Sequence, residues 1–223
     1  MNHKLELANV TIKSIVILIS GHGSNMRALL EADLPCRVAA VISNQADAPG
    51  LEIAKQHGIS TRIVTHLNHP DRESFDSELA LCIDSYQPDL IVLAGFMRIL
   101  TAQFVTRYQN KLINIHPSLL PAYSGLHTHA RALRDGVKIH GCTVHFVTGD
   151  IDQGPIIIQA AVSVHMDDTP ATLAARVLQQ EHRIFPQAIR WFCNGDISLS
   201  AGGKVLMKGL EQPGSALISP EME

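Results

Sequence analysis

The sequence has no apolar run long enough to cross a membrane and no excess of positive charge. A membrane-spanning helix needs about 20 consecutive apolar residues, and no stretch of the chain approaches that length. Lys and Arg number 18 against 21 Asp and Glu, a formal charge of -3. Because a nucleic-acid or anionic-membrane surface requires clustered Lys and Arg, this balance argues against both kinds of partner. We therefore expect a cytoplasmic protein that acts on small molecules.

Cysteine is scarce, and the chain has no Cys-x-x-Cys pair. This absence argues against a zinc knuckle or a disulfide framework. We expect reduced thiols in the core at all four cysteines, namely Cys36, Cys82, Cys142 and Cys193.

Metal and covalent chemistry also lack their usual motifs. There is no HExxH sequence, and no serine lies in the GxSxG setting of a nucleophile elbow. We therefore expect neither a metal nor a tightly bound cofactor, although four histidines fall in one region: His127, His129, His140 and His145.

The first half of the chain alternates short apolar runs with helical patterns. The whole chain has 223 residues, of which 46% are hydrophobic, enough for one large α/β domain. This rhythm predicts a single-domain, Rossmann-like α/β fold with a doubly wound, mostly parallel sheet. The predicted strands are SIVILIS (14–20), RVAAVIS (37–43), TRIVTH (61–66), LIVLAGF (90–96) and LINIH (112–116).

Two further β patterns follow, GCTVHFVT (141–148) and PIIIQAAVSV (155–164). Their short connector predicts an antiparallel strand pair that extends the parallel sheet. We expect the domain to span residues 1–209 and the polar, proline-containing segment 210–223 to be a flexible tail.

Two helices are predicted in detail. The segment DRESFDSELALCIDSYQ places four residues at helical intervals on one apolar face: Phe75, Leu79, Cys82 and Tyr86. A later helix begins with a Thr169 cap and Pro170 at its first position. Pro186 is expected to kink that helix or divide it.

The first strand runs into Gly21-His22-Gly23-Ser24-Asn25-Met26, which precedes a helical pattern. Glycines let the backbone turn tightly, and the free N–H groups of a helix start attract phosphate. A dinucleotide fingerprint requires glycine where Met26 stands, and no P-loop lysine follows. The turn therefore fits a single phosphate, with an ordinary strand-to-helix turn as the alternative.

Asn114 and His116 close the strand LINIH and face the same side, because residues i and i+2 of a strand do so. An amide can donate to a developing oxyanion, and an imidazole can donate or carry a proton. Asp152, in the acidic loop GDIDQGP (149–155), would favour the charged imidazolium. The three residues fit an acyl-transfer site beyond the carboxyl end of a parallel strand. The alternative is a strand-end histidine and a turn-forming aspartate.

Four segments, taken together, resemble the phosphoribosylglycinamide formyltransferase family of the folate-dependent formyltransferases. They are ISGHGSN (19–25), LAGFMRIL (93–100), INIHPSLLP (113–121) and HFVTGDIDQGP (145–155). The resemblance extends over roughly Ile15 to Trp191 and implies the formyltransferase fold for the domain. It also implies formyl transfer from 10-formyltetrahydrofolate, a cosubstrate, to the amine of glycinamide ribonucleotide in purine biosynthesis.

The resemblance further implies the roles of individual residues. Asn114, His116 and Asp152 would be catalytic. The ribonucleotide would be held by Gly23, Ser24, Asn25 and Glu181. The folate would be held by Arg72, Met97, Arg98, Ile99, Leu100 and Asn114. His22 and Leu178 depart from the family pattern, and Leu178 is assigned no substrate contact.

Three other functions compete with this interpretation. Methionyl-tRNA formyltransferase would carry an extra basic C-terminal domain, and formyltetrahydrofolate deformylase an extra N-terminal domain; the length of the chain disfavours both. A non-enzymatic phosphate-binding module would share the glycine turn but would not require Asn114, His116 and Asp152 to converge. We expect a monomer or a weak homodimer.

Overall fold

The computed structural model describes residues 12–209, which form one seven-stranded sheet and a two-stranded hairpin. Strands β1 to β5 pair in parallel, β6 is antiparallel to β5, and β7 is antiparallel to β6. The spatial order is β3-β2-β1-β4-β5-β6-β7. This confirms the predicted mostly parallel sheet with an added antiparallel pair. The strands are β1 (Lys13–Ile19), β2 (Cys36–Ser43), β3 (Thr61–Ile63), β4 (Leu90–Leu93), β5 (Leu112–His116), β6 (Ile139–Phe146) and β7 (Ile156–Ser163).

Helices cover both faces of this sheet. They are α1 (Ser24–Glu31), α2 (Pro49–Gln56), α3 (Arg72–Asp84), α4 (Ala102–Arg107), α5 (Thr128–Asp135) and α6 (Pro170–Asn194), and the hairpin strands β8 (Ile197–Leu199) and β9 (Val205–Met207) follow α6. No helix within residues 12–209 is both long and apolar enough to span a membrane. The predicted tail at 210–223 lies outside the described residues.

Strand β1 shows why the sheet needs two helical layers. Ile15, Ile17 and Ile19 belong to the hydrophobic cluster that includes side chains of α1, α2 and α6. Val16 and Leu18 belong to the cluster that includes side chains of α3 and α4. Because alternate strand residues point to opposite faces, an apolar strand without alternation must be covered on both sides.

Some predicted boundaries differ from the structure. Strand β3 ends at Ile63, before a 3₁₀ turn at His66–Asn68, and β4 ends at Leu93, before Gly95 at a φ of 75°. On α3, Phe75 and Leu79 are buried as predicted, but Ile83 continues that face and Cys82 and Tyr86 are only half-buried. Successive steps of four residues keep Ile83 in line with Phe75 and Leu79, whereas Cys82 is rotated toward the edge.

The predicted start of α6 is confirmed, but its predicted division is not found. The Thr169 side chain accepts a hydrogen bond from Thr172 N, and the Thr172 side chain in turn bonds the Thr169 backbone, a complete capping box. The helix runs without interruption through Pro186. Pro186 removes one backbone donor, but the fully buried side chains of Phe185 and Ile189 anchor the turns on either side of it.

We expect Gly141→Ala to destabilise the protein by about 1–3 kcal/mol, the usual cost of overpacking. Gly141 lies within β6, and a Cβ there would stand 2.0 Å from the carbonyl oxygen of Ala160 on β7. Urea unfolding of the variant measures the loss. Gly202→Ala is the matched control, because the nearest atom to its Cβ is 3.9 Å away. Equal unfolding free energies for Gly141→Ala and the parent would contradict the expectation.

Candidate active site

The four segments singled out in the sequence meet at the carboxyl ends of the parallel strands. The acidic loop of the fourth segment follows β6. The glycine turn follows β1, the segment Met97–Leu100 follows β4, and Asn114 and His116 close β5. Strand β1 pairs with β2 on one side and with β4 on the other, so the strand order reverses there. In open α/β sheets ligands bind beyond the carboxyl ends of the strands at such a reversal.

His116 lies between two hydrogen-bond acceptors. Its Nε2 is 2.9 Å from the carbonyl oxygen of Tyr123, which can only accept, so Nε2 carries a proton. Its Nδ1 is 3.4 Å from Oδ2 of Asp152, and both side chains are largely buried, at 8% and 11% exposure. Because each ring nitrogen faces an acceptor, this pocket accommodates the doubly protonated imidazolium.

Asp152 is held in place by the backbone of a neighbouring loop. The N–H of Gly125 donates to its Oδ2 at 2.8 Å, and Asp152 has a φ of 55°, a left-handed conformation that Asp tolerates better than most residues. The alternative interpretation, in which Asp152 is a turn-forming residue, is therefore correct in part, because Asp152 does form a turn. The same turn aims its carboxylate at His116.

Asn114 is oriented by a residue that the sequence did not assign to the site. In β6, His145 is the register partner of Asn114, and its Nε2 is 3.2 Å from Nδ2 of Asn114. His145 Nδ1 donates to the carbonyl oxygen of Phe146 at 2.9 Å, so Nε2 is the acceptor. Burial lowers the pKa of His145, which keeps the ring neutral and able to accept. One N–H of the Asn114 amide is thus engaged and the other remains for a substrate.

A second pair of histidines lies behind His116. The rings of His129 and His140 are 5.2 Å apart in an edge-to-face arrangement, and Tyr123 packs against His140. Burial lowers the pKa of His140 to about 4 and also lowers that of His129. These rings therefore stay neutral near pH 7 and add no positive charge beside His116.

The histidine region does not assemble a metal site. Among residues 12–209, no three His, Cys, Asp or Glu side chains are grouped so as to hold a metal ion. His145 instead contacts Asn114, while His127 caps α5 with an exposed side chain.

The buried histidines predict a loss of stability in acid. The pKa of His140 is depressed by burial, so its contribution to stability is complete above the unfolded value of about 6.5. It is lost as the pH falls from there toward about 4, because the unfolded chain then binds the proton more readily. We expect His140→Asn to flatten the decline of unfolding free energy between pH 6.5 and 4, measured by urea titration. His57→Asn, at an exposed position, is the control, and an unchanged slope in His140→Asn would contradict this expectation.

The glycine turn has the geometry of an anion site. Gly23 adopts a φ of 72° immediately before α1, and a Cβ there would stand 3.0 Å from the Cα of Gly50. Gly50 N donates to Gly21 O at 3.0 Å, which packs the starts of α1 and α2 together. The backbone N–H groups of Ser24 and Asn25 open α1, where no side chain caps the helix.

Asn25 and Glu181, both expected ribonucleotide contacts, are hydrogen-bonded to each other. Asn25 Nδ2 donates to Glu181 Oε2 at 2.6 Å, joining α1 to α6. Burial raises the pKa of the Glu181 carboxyl, and the bond from Asn25 partly offsets this. Asn25 Oδ1 is buried and has no hydrogen-bond partner within residues 12–209. It is therefore available to a donor group of a ligand.

The residues expected to bind folate form a partly apolar surface after β4. Met97 and Ile99 are 68% and 56% exposed, and the Arg98 guanidinium lies 5.7 Å from the ring centre of Phe75. Arg72 opens α3 three residues before Phe75 and is exposed. Exposed large apolar side chains bordered by basic groups fit an aromatic ligand that carries carboxylates.

Ser20 joins this surface to the glycine turn. Its Oγ accepts a hydrogen bond from Met97 N at 2.7 Å and donates to Asn44 Oδ1 at 2.6 Å. The ends of β1, β2 and β4 are thereby linked through one hydroxyl. No sequence pattern predicts this contact, since a serine after a strand is common in turns.

Known proteins are similar to this chain over most of its length. Residues 13–189 match the family model described as formyl transferase. A phosphoribosylglycinamide formyltransferase of Escherichia coli is 50% identical over 190 residues, which cover 83% of this chain and 90% of that protein. The solved structure of a phosphoribosylglycinamide formyltransferase from Coxiella burnetii is 48% identical with a TM-score of 0.85, covering 89% of this chain and 95% of that one.

A solved structure with another activity in its name is also similar. The formyltetrahydrofolate deformylase from Pseudomonas syringae is 29% identical with a TM-score of 0.82. The match covers 88% of this chain but 66% of the deformylase chain. Both the extent of the family match and the higher identities support one assignment: this chain belongs to the formyl transferase family, among the phosphoribosylglycinamide formyltransferases.

Proposed function

We propose that this chain transfers the formyl group of 10-formyltetrahydrofolate to the amine of glycinamide ribonucleotide. The products are formylglycinamide ribonucleotide and tetrahydrofolate, in de novo purine biosynthesis. The observation that carries the proposal is the convergence of Asn114, His116 and Asp152 beside the glycine turn. The names of the two formyltransferase relatives support the choice of substrates.

In the first step the ribonucleotide amine attacks the formyl carbon, and the carbonyl oxygen becomes an oxyanion. Asn114 donates its second amide N–H to that oxygen, because His145 already occupies the first. The positive charge of His116 stabilises the same oxyanion in a largely buried pocket, where screening by water is weak.

In the second step the bond between the formyl carbon and N10 of the folate breaks. The attacking nitrogen loses a proton and N10 gains one, so no charge is created overall. His116 mediates this transfer through Nδ1. The 3.4 Å separation from Asp152 is longer than a charge-assisted hydrogen bond and leaves that proton available. Asp152 keeps the imidazolium charged and oriented.

The two substrates occupy opposite sides of this centre. The ribonucleotide phosphate binds the N–H groups that follow Gly23, at Ser24 and Asn25, and Glu181 contacts the same substrate. The pterin and benzoyl groups of the folate bind along 97–100, and Arg72 lies near the folate. The chemistry requires no metal or tightly bound cofactor, and we place the reaction in the cytoplasm with a monomer or weak homodimer as the active species.

A steady-state assay with both substrates tests the proposal. We expect tetrahydrofolate release to depend on glycinamide ribonucleotide and to match the formylated product in amount. Release at the same rate without the ribonucleotide would instead identify a deformylase. The absence of turnover in both assays, together with retained phosphate-ligand binding, would favour a binding module.

A further inference from the structure

Two cysteines far apart in the sequence lie at the amino ends of the parallel strands, opposite the candidate active site. Cys36 begins β2, at the amino end of the parallel strands, and Cys193 lies in the last turn of α6. Both side chains are partly exposed and line one surface cavity of about 450 Å³. Its other lining residues are Ile12, Lys13, Leu34, Pro35 and Asn194.

The two thiols line the same cavity and shift each other's pKa in opposite directions. The Cys193 thiol donates a hydrogen bond to the Cys36 sulfur, which lowers the pKa of Cys36. The same hydrogen bond, with burial, raises the pKa of Cys193. The negative end of the α6 dipole also disfavours a thiolate at Cys193.

Lys13 lines the same cavity, and its positive charge partly offsets the rise in the pKa of Cys193. It is the register partner of Cys36 in the β1–β2 pairing, and its ammonium group lies 5.5 Å from the ring centre of Phe192. A thiolate that accepts a hydrogen bond is the reactive form of cysteine, and the lowered pKa of Cys36 favours that form there. Cys36 is therefore the nucleophile of the pair.

The other two cysteines have different surroundings. Cys142 is fully buried in β6, and Cys82 lies on α3; burial raises the pKa of each thiol. The expectation that all four cysteines are core residues is thus correct for Cys142 and wrong for the partly exposed Cys36, Cys82 and Cys193. The error has a simple cause, because cysteines at the ends of a strand and a helix reach the rim of the core.

We propose that Cys36 and Cys193 form a dithiol that hydrogen peroxide converts to an intramolecular disulfide. The Cys36 thiolate attacks one peroxide oxygen, the O–O bond breaks, and a sulfenic acid and one water form. The Cys193 sulfur then attacks the Cys36 sulfur, the S–O bond breaks, and a second water leaves. Two thiols are oxidised by two electrons, and one peroxide is reduced to two waters.

The disulfide would join the start of β2 to the end of α6. This closes a loop that contains most of the domain, which restricts the unfolded chain strongly. The pair lies at the amino ends of the strands, whereas Asn114 and His116 lie at the carboxyl ends. Oxidation therefore acts on stability rather than on substrate access, and the inference does not depend on the proposed function.

The test is peroxide titration of the reduced, folded full chain. We expect the count of free thiols to fall from four to two, the mass to fall by that of two hydrogens, and one proteolytic peptide pair to link positions 36 and 193. Dithiothreitol should restore all four thiols, and the oxidised chain should melt about 10 °C higher than the reduced one.

Single serine variants separate the pair from the other cysteines. Cys36→Ser and Cys193→Ser should form no internal cross-link, whereas the matched control Cys82→Ser should form it as the parent does. Circular dichroism confirms that each variant is folded. Oxidation that stops at sulfenic or sulfinic acid on Cys36, a link that involves Cys82, or four thiols that survive peroxide would each overturn the proposal.

Discussion

Replacing His116 with alanine is expected to lower kcat by about 10²–10³-fold, with little change in the KM for the folate. In the proposed mechanism His116 acts on charge that exists only in the transition state, so its loss is expected to affect turnover far more than binding. The ring packs against Tyr123 O and Asp152 rather than against the surface at 97–100. Steady-state kinetics with each substrate varied in turn measures both parameters.

A matched control separates this effect from general damage. His57→Ala removes an exposed histidine at the C-terminal end of α2 and should leave kcat unchanged. Thermal unfolding of both variants shows whether either is misfolded. An unchanged kcat in folded His116→Ala would remove His116 from the mechanism.

Asn114→Ala is expected to lower kcat by a similar factor, about 10²–10³. The amide N–H that remains after the bond to His145 is the one neutral side-chain donor that β5 presents at this point. Single-turnover kinetics at saturating concentrations of both substrates measures the chemical step without product release. A change confined to KM would contradict the oxyanion role.

The role of His145 can be measured by combining its replacement by alanine with the Asn114→Ala substitution. His145→Ala should lower kcat, because the Asn114 amide loses its fixed orientation. In the double variant the two losses should not add, since His145 acts on the oxyanion only through Asn114. Full additivity would mean that His145 contributes independently of Asn114.

The histidines around the site differ in the hydrogen-bond acceptors that surround them. His116 faces a carbonyl oxygen and a carboxylate, whereas His145 bonds a backbone carbonyl, and one ring nitrogen each of His129 and His140 has no hydrogen-bond partner within residues 12–209. Burial lowers the pKa of each of the three, so their rings stay neutral. Neutral rings can orient Asn114 and pack against Tyr123 without adding positive charge beside His116.

Much of this could be predicted from short stretches of sequence. The apolar run of β1 predicted a buried strand, and the spacing of Asn114 and His116 predicted that they share one face. Thr169 and Pro170 predicted the start of α6. Each of these inferences depends on residues no more than a few positions apart, where backbone geometry alone decides which side chains are neighbours.

Other features depend on how distant elements pack. The bond between Asn25 and Glu181 requires α1 to lie against α6, and the contact of Asn114 with His145 requires the exact register of β5 and β6. Pro186 was expected to kink or divide α6, and the helix is not divided there. The local tendency of proline to break a helix was overcome by the packing of buried side chains on both sides of it. Sequence patterns that consider only neighbouring residues therefore did not predict whether α6 continues through Pro186, because burial in the tertiary structure decides it.

By itself the sequence determined the seven strands of the main sheet apart from some of their ends, the start of α6, the glycine turn and the facing pair on β5, because each follows from the fixed geometry of neighbouring residues. It did not predict the hairpin strands β8 and β9. Only the tertiary structure decided which protonation states the site accommodates, which amide hydrogen of Asn114 remains for a substrate, and which two cysteines meet. These depend on burial and on contacts between residues distant in the chain. Such contacts arise when the two faces of the sheet are covered, and no local pattern encodes them.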